Sequence, residues 1–245
     1  MRWERVRDLI EKRMMKYRVE LWVYERPTPS ESIEKLHQER VQRMVTLNSP
    51  LSWKNAEMPL APIRKKGDLS AYYSVKYPDT SLKHHGSYNI RDARYIYDDK
   101  VSDDKFAFEI KKLGEEEYQK VSGYWVPELI DAVRGYRAVS YFECHSSKYT
   151  DLHESERRNL IEKFNADPDG HNCIFTLEVA QFWDGELCQR ALGYGRNEVI
   201  KRLTGKVPLV QPLMDGVYVV FNDNPDLTFE EFCAYNDRLK PVLGL

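Results

Sequence analysis

This sequence predicts an α+β fold, mainly an antiparallel sheet with flanking helices, and three observations carry the prediction. In Lys16-Tyr-Arg-Val-Glu-Leu-Trp-Val-Tyr24, the residues Tyr17, Val19, Leu21 and Val23 alternate with Arg18, Glu20, Trp22 and Tyr24. Period two marks a half-buried strand. Between Ser30 and Leu47, the residues Ile33, Leu36, Val41, Met44, Val45 and Leu47 share one half of a helical wheel, while Lys35, Glu39, Gln42 and Arg43 share the other. That is an amphipathic helix. Three strand candidates then follow, 70–77, 88–97 and 105–111, joined by short polar connections that suit antiparallel pairing.

Taken in order, residues 3–14 set Trp3, Val6, Ile10 and Met14 on one helical stripe. Met14 and Met15 stand directly before the first strand, so the opening residues read either as an ordinary N-terminal helix or as an extension before a later start. Pro27 and Pro29 end the first strand, and Ser30 is placed to cap the helix. Pro50, Pro59, Pro62 and Gly67 make 48–68 an irregular connection. His84-His85 falls in a loop before Gly86, and Pro127 opens a short helix to Arg134. Arg137–Cys144 is strand-like. Asp151-Leu-His-Glu154 supplies a cap with an acid three residues on, for a helix whose apolar face is Leu160, Ile161 and Phe164.

Asn172–Ala180 is strand-like again, and Asn197–Leu203 is a helix stopped at Gly205, with Gly193-Tyr-Gly195-Arg196 as the turn before it. Val217–Phe221 is a short apolar strand. Thr228-Phe-Glu-Glu231 is a capping box for a last helix bearing Phe229, Phe232, Cys233 and Leu239. The two halves share a loose strand–helix–strand rhythm, which leaves room for two similar lobes, but no residue-level repeat is visible. No low-complexity tract divides the chain, so the expected organisation is a helix or extension over 1–14 and one α+β domain over 15–245.

The chain has 245 residues, long enough for a substantial core, and 42% hydrophobic with 31% charged residues exclude disorder as a global description. A net charge of −2 shows neither the basic excess of a nucleic-acid binder nor the acidity of a nucleic-acid mimic, so no direct nucleic-acid partner is expected. Cys144, Cys173, Cys188 and Cys233 are widely spaced, which argues against a disulfide framework and for reduced, mostly buried thiols. No apolar run approaches the roughly 20 residues of a membrane helix. The first 14 residues hold four Arg, one Lys and three acids with no apolar run, unlike a secretory signal. Cytoplasmic residence is the expectation, with no membrane partner and no cofactor.

The sharpest enzymatic pattern is that of a nuclease. Pro78-Asp79 follows one strand, and Glu109-Ile-Lys111 lies on another, whose period two puts Glu109 and Lys111 on one face. Asp79 and Glu109 on a divalent cation, with Lys111 beside the attacking water, would be the catalytic set, as in the PD-(D/E)xK pattern. A solvated strand face is the simpler account of Glu-x-Lys and is preferred, and the supporting acid on a preceding helix is not evident. Cys144, His145, His153, His171 and Cys173 match no compact zinc spacing and read as loop and cap residues, so no metal is expected. No Gly-x-Ser-x-Gly or phosphate-binding glycine pattern occurs. Asp98-Asp99 and Asp103-Asp104 flank Lys100 without calcium-loop spacing.

What remains is surface. Trp22, Tyr24, Tyr72, Tyr73, Tyr88, Tyr95 and Tyr97 lie on strand candidates, some opposite the apolar face, and aromatics beside charges suit a protein interface. Trp22, Tyr24, Tyr95 and Tyr97, with the acids Asp98 and Asp99, are the candidate partner-binding residues. The alternative is that both faces of the sheet are covered.

From Met15, the opening Met-Lys-Tyr-Arg-Val-Glu-Leu-Trp-Val-Tyr24, the helix through Arg40 and Leu47, and Asn48-Ser-Pro50 with Trp53 resemble the immunity protein 52 family of bacterial polymorphic-toxin and type VI secretion systems. The closing Asp215-Gly-Val-Tyr-Val-Val-Phe221, a short acidic turn and an aromatic-rich helix ending near Gly244 resemble it too. The resemblance covers both ends, under half the chain, and 78–170 departs from it. It implies an α+β protein without catalytic residues that binds and neutralises a cognate toxin, often a nuclease, in the producing cell's cytoplasm. It also implies acidic side chains that meet a basic nuclease cleft, with aromatic anchors between them.

Overall fold

The alternating opening segment becomes a central strand of one large sheet. The structure, a computed structural model, describes residues 17–26, 31–63, 70–77, 81–89, 103–142 and 145–245. The expectations for residues 1–14, Met15, Ser30 and Cys144 lie outside these residues. The strands are β1 (Tyr17–Glu25), β2 (Ser70–Lys76), β3 (Leu82–Asn89), β4 (Asp104–Leu113), β5 (Arg137–Tyr141), β6 (Ala180–Trp183), β7 (Leu209–Leu213) and β8 (Gly216–Val220). They form an 8-stranded sheet in the order β2-β3-β4-β1-β5-β6-β8-β7, with every pair antiparallel. The α+β reading therefore holds. The halves meet at β1 and β5, but their strand orders outward from that seam differ, so they do not share one topology.

Helix α1 (Ile33–Thr46) follows β1. Its cap is Ser32, whose hydroxyl accepts from the Lys35 N–H at 3.2 Å. The helix lays Leu36, Arg40 and Met44 on the core. Arg40 is fully buried. Its guanidinium sits 3.7 Å from the Phe106 ring centre and donates to Tyr88 and Glu25, which pairs the charge that burial alone would forbid.

Of the second strand predicted over 88–97, only Tyr88 and Asn89 are described, and they end a strand that begins at Leu82. His84 and His85 are not in a loop but inside β3, whose inward residues are Leu82, His84, Gly86 and Tyr88. A histidine and a glycine broke the apolar period and hid the strand. Gly86 is required there because the Tyr73 ring lies where a Cβ would stand, and His84 is neutral in the core, with burial lowering its pKa to about 3.

The helix expected from Pro127 to Arg134 is present as α3 (Val126–Val133), with Pro127 in its first turn and Arg134 as its C-cap; what the sequence did not announce is the run leading into it, α2 (Glu115–Lys120) and a single π turn (Val121–Trp125). The wider turn accommodates a residue without an N–H to bond. Three further expectations need correction. Asp151 is not a cap but lies inside α4 (His145–Leu152), which breaks at His153 before α5 (Glu154–Phe164). The apolar face expected of α5 is a core face only in part: Leu160 packs against the core of the second half, but the helix fully buries no residue and Phe164 is 69% exposed. Only Ala180 of the predicted strand over 172–180 pairs in the sheet. In the rest, the N–H groups of Phe175 and Thr176 donate to Asp169 and that of Leu177 to Asn236, each at 2.8 Å, so side chains replace a neighbouring strand.

Helices α6 (Gly185–Leu192) and α7 (Arg196–Leu203) follow β6, with Gly193 in the left-handed region closing α6 and Gly195 capping α7. The capping box at Thr228 and Glu231 opens α8 (Phe229–Leu243) as expected.

The two faces of the sheet are covered unequally. One face is buried from end to end, with Val19, Leu21, Val23, Phe106, Phe108, Ala138, Phe182 and Tyr218 in a single core beneath α1, α2 and α3. Each fully buried side chain such as Leu21 contributes about 2 kcal/mol. On the other face, Trp183, Val217 and Val219 pack under α6, α7 and α8 in a second core. That cover spans only the β5–β8 half.

Candidate interaction surface

Over β1 to β4 the second face carries no helix among the described residues. Strand register arranges its outward side chains in rows. Tyr24, Lys105, Ser87 and Tyr72 form one, and Trp22, Ala107, His85 and Ser74 the next. Glu20, Glu109, Lys83 and Lys76 form a third. All of these are half-buried or exposed, and Tyr72 is 74% exposed.

Trp22 stands between two depressions. One, of about 530 Å³, has Ser74, Ser87 and Ala107 on its floor, with Trp22, Tyr72 and His85 around it. The other, of about 660 Å³, lies where the open face meets the covered half. Its far wall is Phe142, Ser146, Ser147 and Asp226, and Tyr17 anchors that wall by donating to Asp226 at 2.8 Å.

A buried polar network fixes this junction. Asp103 accepts from the Tyr136 hydroxyl at 2.8 Å and pairs with Arg137 at 3.5 Å. His171 bridges Asp103 and Asp167 through its two ring nitrogens, at 2.8 and 3.1 Å. Burial opposes charge on His171, but the hydrogen bonds to Asp103 and Asp167 outweigh it and push its pKa up to about 9. Arg137 in turn lies 3.8 Å from the centre of the Tyr24 ring. Tyr24 thus lines the larger depression with one ring face already occupied.

Trp22 and Tyr24 are both on the open face, as the alternation predicted. Tyr95, Tyr97, Asp98 and Asp99 lie outside the described residues, as does Asp79. Tyr73 and Tyr88 point into the core. Glu109 and Lys111 do share the open face, with the Lys111 ammonium 2.9 Å from a Glu109 oxygen and Arg18 at 3.6 Å. The hydrogen bond from Lys111 holds Glu109 below the usual carboxylate range. The pair is therefore satisfied internally, and among the described residues no group of three or more His, Cys, Asp or Glu comes together around a metal position. His145 contacts the Leu227 carbonyl, far from the His171 network in role and partners.

Among the described residues of the open face, Arg18, Lys76, Lys83, Lys105 and Lys111 outnumber Glu20 and Glu109, so this part of the face is basic; the acids expected at a partner contact, Asp98 and Asp99, lie outside the described residues. Sequence reading singled out Lys111 and missed Lys76, Lys83 and Lys105 as site residues. For Lys76 and Lys105 the signal was the same period two, while Lys83 lay on the strand that His84 and Gly86 hid.

No family model matches the chain, and no curated protein does. Among solved structures, a type VI secretion system protein of Pseudomonas aeruginosa has a similar fold, with a TM-score of 0.51 at 9% identity, over 98% of this chain and 83% of that one. At that identity the likeness is one of fold.

Proposed function

We propose that this chain is a non-enzymatic immunity protein that binds a cognate secreted bacterial toxin and neutralises it stoichiometrically in the producing cell's cytoplasm. The observation that carries the reading is the half-covered sheet. A fold that buries one face completely leaves aromatic and charged residues of β1–β4 in the open beside a deep groove. Two further points support it: the fold-level likeness to a type VI secretion system protein and the resemblance of both chain ends to the immunity protein 52 family. The finer family assignment is part of the proposal.

The test is co-expression with the toxin encoded by the neighbouring gene. Protection of the cells and co-purification of a stable complex are expected. Toxicity undiminished by this chain would overturn the reading. So would magnesium-dependent DNA cleavage by the purified chain that disappears in Glu109→Ala.

A further inference from the structure

The open face is specific about the chemistry it would accept. The two acids on it are taken up within the face, Glu20 by Arg18 at 3.7 Å and Glu109 by Lys111 at 2.9 Å and Arg18 at 3.6 Å. Lys76, Lys83 and Lys105 have no ion pair within 4.0 Å among the described residues, and all three are exposed. Lys105 lines the smaller depression, and Lys76 and Lys83 stand one row beyond Ser74 and His85 at its edge. Between β1 and β2 lie three strand spacings, roughly 14 Å at about 4.8 Å each, floored by Ser74, Ser87 and Ala107. Trp22 and Tyr72 rise on either side of that floor. Ser74, Ser87 and Ala107 leave room for a bulky side chain beside His85 and Lys105, and the aromatic pair supplies the apolar contact.

Resting on the binding role proposed above, we infer that this face takes its protein partner through an acidic element bearing an aromatic or large aliphatic side chain. That side chain enters the slot between Trp22 and Tyr72, and flanking carboxylates meet Lys76, Lys83 and Lys105. The partner's contact surface is thus opposite in sign to a basic nuclease cleft. Aromatics with lysines also suit single-stranded nucleic acid. Protein is favoured because the described face offers one slot with a single aromatic on either side, not the succession of stacking aromatics along a basic groove that single-stranded nucleic acid uses.

The experiment pans a random-peptide phage library against the whole immobilised chain, then measures the best peptide by fluorescence polarisation. Enriched peptides are expected to place Asp or Glu around a Trp, Tyr, Phe or Leu. Their affinity should fall about tenfold or more in Tyr72→Ala and in the charge reversal Lys83→Glu with Lys105→Glu, and should weaken as salt rises. These side chains are solvent-facing, so an unchanged melting temperature verifies the fold of each variant. Enrichment without an acidic bias overturns the inference. So does peptide affinity indifferent to both variants, or tighter binding of a labelled oligothymidine that the same variants abolish.

Panning needs no toxin, so the two ideas fail separately. Acidic peptides that bind as described, without protection in co-expression, support this surface and reject the immunity reading. Full protection by Tyr72→Ala and by the charge reversal supports immunity and rejects this surface.

Discussion

Glu178 couples the stability of the fold to pH. Its side chain lies in the buried segment after α5, only 2% exposed, and one carboxyl oxygen has no hydrogen-bond partner. Burial pushes its pKa up to about 8 from 4.5, the nearby Ser146 hydroxyl offsetting part of the rise. Below about pH 4.5 the carboxyl is protonated in both folded and unfolded chains and has no effect. Between there and about 8 only the unfolded chain gives up its proton, so each pH unit weakens the fold by about 1.4 kcal/mol. Above about 8 the loss levels off, at roughly 5 kcal/mol in total. Glu178→Gln keeps the shape and cannot ionise. In urea unfolding followed by tryptophan fluorescence, the variant is expected to match the wild type near pH 5 and to exceed it by roughly 4 kcal/mol near pH 9. If both proteins lose the same stability between those pH values, burial of Glu178 does not govern its proton and the reasoning is wrong.

Other outcomes follow from the same physics. Asp103→Asn removes the stronger of the two carboxylate contacts on His171, so the imidazole pKa should fall from about 9 in an NMR titration. The stability that His171 contributes is fully present below about 6.5 and fades as pH rises through about 9, and Asp103→Asn should shrink that loss. Arg40→Met strands the Glu25 carboxylate and empties the space over Phe106, and should cost about 3–5 kcal/mol by chemical denaturation. Thr228→Ala removes the hydroxyl that accepts from the Glu231 N–H at 3.2 Å and should cost about 1 kcal/mol, read as a lowered melting temperature.

Strands with one exposed face were legible because their alternation survives in the residues themselves. β1 and β4 emerged with nearly the right limits, and with them the outward placement of Trp22, Tyr24, Glu109 and Lys111. Elements whose hydrogen bonds or inward residues are atypical were not legible. β3 hides its inward row behind His84 and Gly86, which are held there by the hydroxyl and ring of Tyr73. β7 is an edge strand interrupted by Pro212, and the segment 174–179 looks like a strand while its amides bond to Asp169 and Asn236. Local pattern reports which side chains are buried. It does not report what satisfies the backbone beside them.

The sequence by itself determined the α+β class, the polarity of β1 and the cap of the last helix, because each depends on residues a few positions apart. Only the tertiary structure decided that one sheet joins both halves, that among the described residues helices cover its second face on one side of the β1–β5 seam and not on the other, and that the described residues of the uncovered half are mostly basic. Those facts depend on which strands become neighbours. Lys76, Lys83 and Lys105 sit on three different strands, and only their registers bring Lys105 to the slot beside Trp22 and Tyr72 and Lys76 and Lys83 to the row at its edge.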